Sequence, residues 1–250
     1  MTLDPAFFAV AIPAVLISAA SKGGFGGGAG FASAPLLALA MPPAEAVGLL
    51  LPLLMLMDAV SLRPYWRKWE WRHSLLLMAG GIPGTLLGWW VFGRISPDGV
   101  RLFIGLTAIG FVLFQIARSR GWLRPPDHDP GAAKGLFWGT VTGFTSFISH
   151  AGGPPASMYL LGLRFDKTTY QASTVLVFWW INLIKVPAYI EVGMLNRSLV
   201  LPILLLAPIA VAGVFAGVWA HNRVSDRFFF GLTYLLLAVT GAKLVWDALA

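Results

Sequence analysis

A chain of 250 residues in which 57% of side chains are hydrophobic and only 12% are charged, with a mean hydropathy of +0.74, has too little charge to cover a soluble surface. Its formal net charge of +7 does not mark a nucleic-acid binder, because the basic residues fall in the gaps between apolar runs, where a membrane protein carries them. Without a single cysteine, disulfides, thiolate metal sites and cysteine nucleophiles are excluded.

In chain order, residues 5–41 form a composite region: a helix-length apolar run, the glycine-rich break "SKGGFGGGAG" at 21–30, and a short apolar return. It does not read as a signal peptide, since the only charge before Lys22 is Asp4 and a signal starts with a positive stretch. Runs at 45–62, 74–93 and 99–118 follow, each near the ~20 residues that cross the hydrocarbon core as helix. The stretch "RSRGWLRPPDHDPGAAK" at 118–134, rich in Pro, Gly and charge, reads as a linker. A second composite region, 134–163, contains the break "SHAGGPPAS" at 149–157, and further runs occupy 170–190, 199–219 and 226–247. No stretch shows the alternation of a transmembrane β-barrel. The expected fold is an all-α polytopic membrane protein with 8–10 membrane segments.

Loop charge sets the expected orientation. Arg63, Arg67, Lys68 and Arg72 share one loop; Arg118, Arg120, Arg124 and Lys134 flank the linker; Arg164 and Lys167, then Arg223 and Arg227, mark two more. If each composite region enters and leaves on one side, these twelve of the eighteen Lys and Arg share one face. The positive-inside rule makes that face cytoplasmic, with both termini outside.

The halves echo each other. "SKGG" at 21–24 matches "SHAGG" at 149–153, Tyr65 matches Tyr189, and "GTLLGWWVFGRIS" from Gly84 matches "GVFAGVWAHNRVS" from Gly213. The echo implies duplication: a first repeat at 1–117, a cytoplasmic linker at 118–133 and a second repeat at 134–250. With an odd number of crossings per half the repeats are inverted, each a broken or re-entrant hairpin plus three spanning helices, the arrangement of many secondary transporters.

Backbone polar groups cannot go unpaired in hydrocarbon, so a break there must be packed in protein or line a wet cavity. Each break carries a cation: Lys22 in the first, His150 in the second. Return helices starting near Gly28 and Pro154 would aim N–H groups and positive dipole ends at a shared ligand. A donor-rich, positive cluster suits a small oxyanion. The candidate substrate-binding residues are Ser21, Lys22, Gly23, Gly24, Gly27, Gly28, Ser149, His150, Gly152, Gly153 and Ser157, with Ser33 as a further hydroxyl. Buried ionisable groups in membranes are costly and usually functional; the bland alternative is that glycines let helices approach closely. His150, near neutral in its ordinary titration, and Asp58 in "LLMLMDAVSL" are candidates for ion coupling; Asp58 either pairs with Lys22 or lies at the interface beside Arg63, and its repeat counterpart is Asn182. Lys185 is expected to snorkel outward. Glu45 and Gln171 read as ordinary helix-start residues, Trp66, Trp69 and Trp71 as an interfacial belt, and Trp179 and Trp180 as packing or cavity wall. Gly84 and Gly88, like Gly213 and Gly217, have GxxxG spacing for close contact within a subunit or in a homodimer.

The paired "SKGGFGGGAG" and "SHAGGPPAS" breaks, each opening one half of a duplicated protein, resemble the TauE/SafE family of sulfite and organosulfonate transporters over nearly the whole chain. The resemblance implies transport of a small sulfur-containing oxyanion without a bound cofactor, and Ser21, Lys22, Gly23, Gly24, Ser149, His150, Gly152 and Gly153 inherit the motif. It does not choose among sulfite, thiosulfate and sulfonates, nor between export and import. With no GxxxxGK[ST] loop, the energy source is expected to be a proton gradient or the membrane potential. A passive anion channel would use the same donors. An intramembrane enzyme lacks raw material for a metal site or catalytic pair.

Overall fold

A computed structural model describes residues 3–24, 30–123, 130–220 and 226–250, with residues 220 and 226–230 as backbone only. Gly27 and Gly28, residues 124–129 of the linker, and Arg223 and Ser225 of the repeat echo lie outside the described residues. Of the described residues 84% are helical, and none is in a strand.

Ten helices follow one another: α1 (Pro5–Gly24), α2 (Ser33–Leu37), α3 (Pro43–Leu62), α4 (Trp71–Phe92), α5 (Pro97–Ser119), α6 (Gly131–Ser149), α7 (Gly153–Leu160), α8 (Lys167–Glu191), α9 (Val200–Ala220) and α10 (Asp226–Leu249). Among the described residues, α1, α3, α4, α5, α8, α9 and α10 supply seven stretches long and apolar enough to cross a membrane. Both composite regions are indeed interrupted, into α1 and α2 and into α6 and α7.

Helix starts account for most boundary differences from the sequence reading. The Asp166 carboxylate accepts from the backbone N–H of Thr168 at 2.9 Å and of Thr169 at 3.1 Å, so α8 begins at Lys167, where hydropathy alone suggests residue 170. The Thr169 hydroxyl, then these amides, hold the Asp166 carboxyl below the usual carboxylate range. Glu70 caps α4 in the same way, accepting from His73 N at 2.7 Å, and Ser96 caps α5, accepting from Gly99 N at 3.1 Å. Helices α5 and α6 extend to Ser119 and from Gly131, taking residues from both ends of the expected linker.

Packing joins the halves reciprocally. Helix α1 lies along α9 and α6 along α4, α5 lies along α10, and α3 packs against both α8 and α9. Leu49, Leu50, Leu51, Leu53 and Met57 make α3 the most enclosed apolar element, whereas Leu86, Phe215 and Leu235 face outward as lipid contacts. The α4–α6 and α1–α9 contacts are backbone-close. A methyl group on Gly84 would overlap the carbonyl of Thr140, and one on Gly23 that of Val214. Gly88 and Gly213 likewise meet Phe147 and Ala19, so the GxxxG spacing serves contacts within the chain.

Gly84→Ala is therefore expected to destabilise the detergent-solubilised protein by about 1–3 kcal/mol through overpacking, read as a lower thermal-unfolding midpoint. Gly110→Ala is the control, because that glycine of α5 has open space around it and alanine favours the helix. Equal losses in both would remove the packing explanation.

Candidate functional site

The two breaks are built differently. In the first half, the Ser18 hydroxyl donates to the carbonyl of Gly30 and lies 2.5 Å from the Ser33 hydroxyl, which donates to the same carbonyl at 3.0 Å. These serines tie the end of α1 to a 3₁₀ turn at Gly30–Ala32, and only then does the five-residue α2 begin. In the second half, α6 ends on His150 in the left-handed conformation, φ 55°, which a non-glycine residue adopts only when its surroundings hold it there. Helix α7 starts at Gly153, with Pro154 and Pro155 in its first turn, where a missing N–H is harmless. The second break thus opens an eight-residue helix; the helix start expected near Gly28 lies outside the described residues, and the first half resumes with the 3₁₀ turn at Gly30–Ala32. Serine hydroxyls that hold the Gly30 carbonyl favour the tighter turn.

Where the breaks meet α3 and α8 lies a small chamber of about 20 Å³, lined by Lys22, Gly30, Phe31, Leu54, Ser146, His150, Gly153, Phe178 and Asn182. That volume holds about one water molecule. On its first-half side the Lys22 ammonium forms a buried salt bridge with Asp58, and Asn182 Nδ2 donates to the other carboxylate oxygen at 2.9 Å. Asp58 is fully enclosed, so it pairs with Lys22 and does not lie at the interface beside Arg63. The Lys22 ammonium also stands 5.6 Å from the centre of the Phe178 ring, a cation–π contact. Gln171 Nε2 donates to the Lys22 carbonyl at 2.7 Å, satisfying an acceptor freed where α1 stops.

On the second-half side His150 Nε2 stands 2.9 Å from the carbonyl of Val47 in α3. A carbonyl only accepts, so Nε2 carries the hydrogen. His150 Nδ1 is 3.0 Å from Lys185 Nζ, which also donates to the carbonyl and hydroxyl of Ser146 at 3.0 and 3.1 Å. Lys185 is completely enclosed; it does not snorkel. Its side chain finds three partners inside the protein. Tyr189 closes the cluster, its hydroxyl donating to the Phe147 carbonyl at 2.5 Å.

Of the residues singled out in the sequence, Lys22, His150, Gly153, Asp58 and Asn182 come together here. Ser21 and Gly24 are buried but do not line the chamber. Gly23 faces Val214, and Gly152 faces Phe178 and Ser146, so packing accounts for both. The Ser149 hydroxyl donates to the Thr145 carbonyl of its own helix at 3.0 Å and accepts from Thr107. Ser157 pairs with the Tyr170 hydroxyl at 2.8 Å. Both serines therefore point away from the chamber. From α8 the chamber wall takes Asn182 and Phe178, the latter adjacent to the tryptophans named above. Missed by the sequence reading were Ser146, Gln171 and Lys185. A signal existed for the lysine: in "WWINLIKVPAY" it lies one turn beyond Asn182, and residues three apart share a helix face.

These features define a polytopic helical membrane protein whose interrupted helices enclose a charged central chamber. The family model described as "Sulfite exporter TauE/SafE" matches residues 11–244, and the chain belongs to that family of membrane transporters. No curated protein and no solved structure gives a significant match to it.

Removing one member of the buried pair strands the other. Asp58→Ala is expected to cost about 3–5 kcal/mol of stability, whereas Lys22→Met combined with Asp58→Leu regains most of it. Thermal unfolding in detergent measures both. A double variant no more stable than Asp58→Ala would mean that the pair does not hold the breaks together.

Proposed function

We propose that the protein is a secondary transporter that moves a small sulfur-containing oxyanion, of the sulfite or organosulfonate type, across the cytoplasmic membrane by alternating access around the central chamber. The observation that carries this reading is the buried Lys22–Asp58 salt bridge at the tip of a broken helix, its lysine lining a polar chamber to which both halves contribute. The reciprocal packing of α1 on α9 and α6 on α4 supports reading the halves, 1–117 and 134–250, as inverted repeats. The basic loops support a cytoplasmic linker with the termini outside.

The site works by competition for one ammonium. Asp58 occupies the face of Lys22 that an oxyanion would take, and two negative groups cannot share it without repelling each other. A proton on Asp58 removes that competitor, so binding of the oxyanion and of a proton favour one another, which is the thermodynamic requirement for coupling. Asn182 keeps the carboxyl in place in either state, since its amide donates to the Oδ2 that remains. His150 contributes its ring edge and not a free nitrogen, because both nitrogens are engaged; its part in coupling runs through Lys185. The chamber is smaller than a four-atom oxyanion, so the segments around α2 and α7 have to separate for substrate to enter. A chamber too small to pass its substrate supports a carrier over a passive channel.

Flux of sulfite into proteoliposomes tests the proposal. The wild-type protein is expected to show saturable uptake and accumulation driven by an inward proton gradient. Lys22→Ala is expected to lose at least about tenfold in rate, the loss that follows removal of a charge-assisted hydrogen bond. Asp58→Asn is expected to keep downhill flux but lose acceleration by the proton gradient. Full transport by Lys22→Ala sinks the assignment of the site; linear, unsaturable flux in the wild type replaces the carrier by a channel.

A further inference from the structure

The buried charges around the chamber do not cancel. Lys22 is matched by Asp58. Lys185 is fully enclosed, yet among the described residues no carboxylate lies within salt-bridge distance of it; its partners are the Ser146 carbonyl and hydroxyl and His150 Nδ1. The carbonyl needs one N–H from it, and the imidazole, whose Nε2 hydrogen is directed at Val47 O, needs a second. An ammonium supplies both and a third for the hydroxyl. Moving the proton from Nζ to Nδ1 would leave the total unchanged, because the Lys185–His150 pair then carries its positive charge on the ring. Held as an ammonium, or with its proton passed to the ring, Lys185 gives the enclosed cluster of Lys22, Asp58, Lys185 and His150 one positive charge in excess, next to the Tyr189 ring 5.6 Å from Nζ.

An unmatched charge deep in a membrane protein costs several kcal/mol, and it is tolerated where a counter-ion completes the site. Both residues that Lys185 engages, Ser146 and His150, line the chamber. Building on the proposed oxyanion site, we propose that Lys185 is its charge-selecting residue: acting from behind Ser146 and His150, it supplies the excess positive charge that an anion in the chamber neutralises. The chamber then favours net-anionic sulfur oxyanions over zwitterionic aminosulfonates of the taurine type, whose ammonium it repels. Lys185 does not touch the anion, so its role is electrostatic and positional.

Such a role has a signature that a merely structural one lacks. Coulomb energy is linear in ligand charge, so removing a fixed unit charge weakens a dianion by the square of the factor by which it weakens a monoanion of the same shape. Methanesulfonate and thiosulfate are near-isosteric, carry one and two charges, and do not titrate near neutral pH. Their dissociation constants for the purified full-length protein in detergent, measured calorimetrically at fixed ionic strength, provide the test, with taurine as the zwitterion. Lys185→Met is expected to weaken methanesulfonate by about tenfold and thiosulfate by about a hundredfold, the scale of one unit charge at roughly ten ångström in a protein interior, and to narrow the margin over taurine. Lys185→Arg, which keeps the charge, is expected to keep the wild-type thiosulfate-to-methanesulfonate ratio. Because each ratio is taken within one sample, it does not depend on how much of a variant is folded, and Lys185→Gln, which retains an N–H for the Ser146 carbonyl, gives the same reading if the methionine variant does not purify. Equal weakening of both anions, or none, overturns this inference while leaving the oxyanion site intact. Failure of the wild type to bind either anion overturns the site itself, and this inference with it.

Discussion

An ammonium and a carboxylate enclosed together in hydrocarbon-facing protein attract each other strongly, but each has lost its water. The Lys22–Asp58 pair is in that position, and much of the structure can be understood as its consequence. The pair needs its remaining acceptor sites filled, and Asn182 fills one. It needs the end of α1 held in place, and Gln171 and the Ser18–Gly30–Ser33 contacts hold it. It needs exclusion of lipid, which the enclosing α3, α8 and the two broken hairpins provide.

The breaks themselves follow from the same constraint. A helix that stops inside a membrane protein exposes carbonyls at its end and amides at the next start. In the first half serine hydroxyls and a glutamine amide meet these groups, and in the second half a left-handed histidine and a proline-rich helix start do so. One arrangement, a basic side chain at the tip of an interrupted helix, is thus reached by two local solutions. The glycines divide between two duties: some make the turns, and others, such as Gly84 and Gly23, let neighbouring helices touch backbone to backbone so that the interrupted elements are gripped from the side.

In the proposed mechanism a chamber too small to pass its substrate is a poor pore. Among the described residues the charged side chains at the chamber already have partners, so on that reading a substrate enters by exchange: it takes the place of Asp58 at Lys22 and meets the positive charge proposed for the Lys185–His150 pair. Specificity would then rest on charge, with shape set by how far the hairpin segments part.

Hydropathy and spacing by themselves determined the membrane class, the helical architecture, both interruptions and the basic residue, Lys22 or His150, at each, because apolar run length and the cost of a glycine or charge in hydrocarbon are local properties readable along the chain. They also pointed to the family. Only the tertiary structure decided which groups face one another. Ser149 and Ser157 carry the same chemistry in the motif as Ser146, but helix rotation turns the first two toward Thr107 and Tyr170 and the third toward the chamber. Lys185 read as a snorkelling residue because its distance from the end of its run permits an outward reach; whether it turns inward depends on Ser146 and His150, which are 39 and 35 residues away in the chain. Side-chain direction in a bundle is set by the neighbours a helix packs against, and those neighbours lie on other helices, far away along the chain.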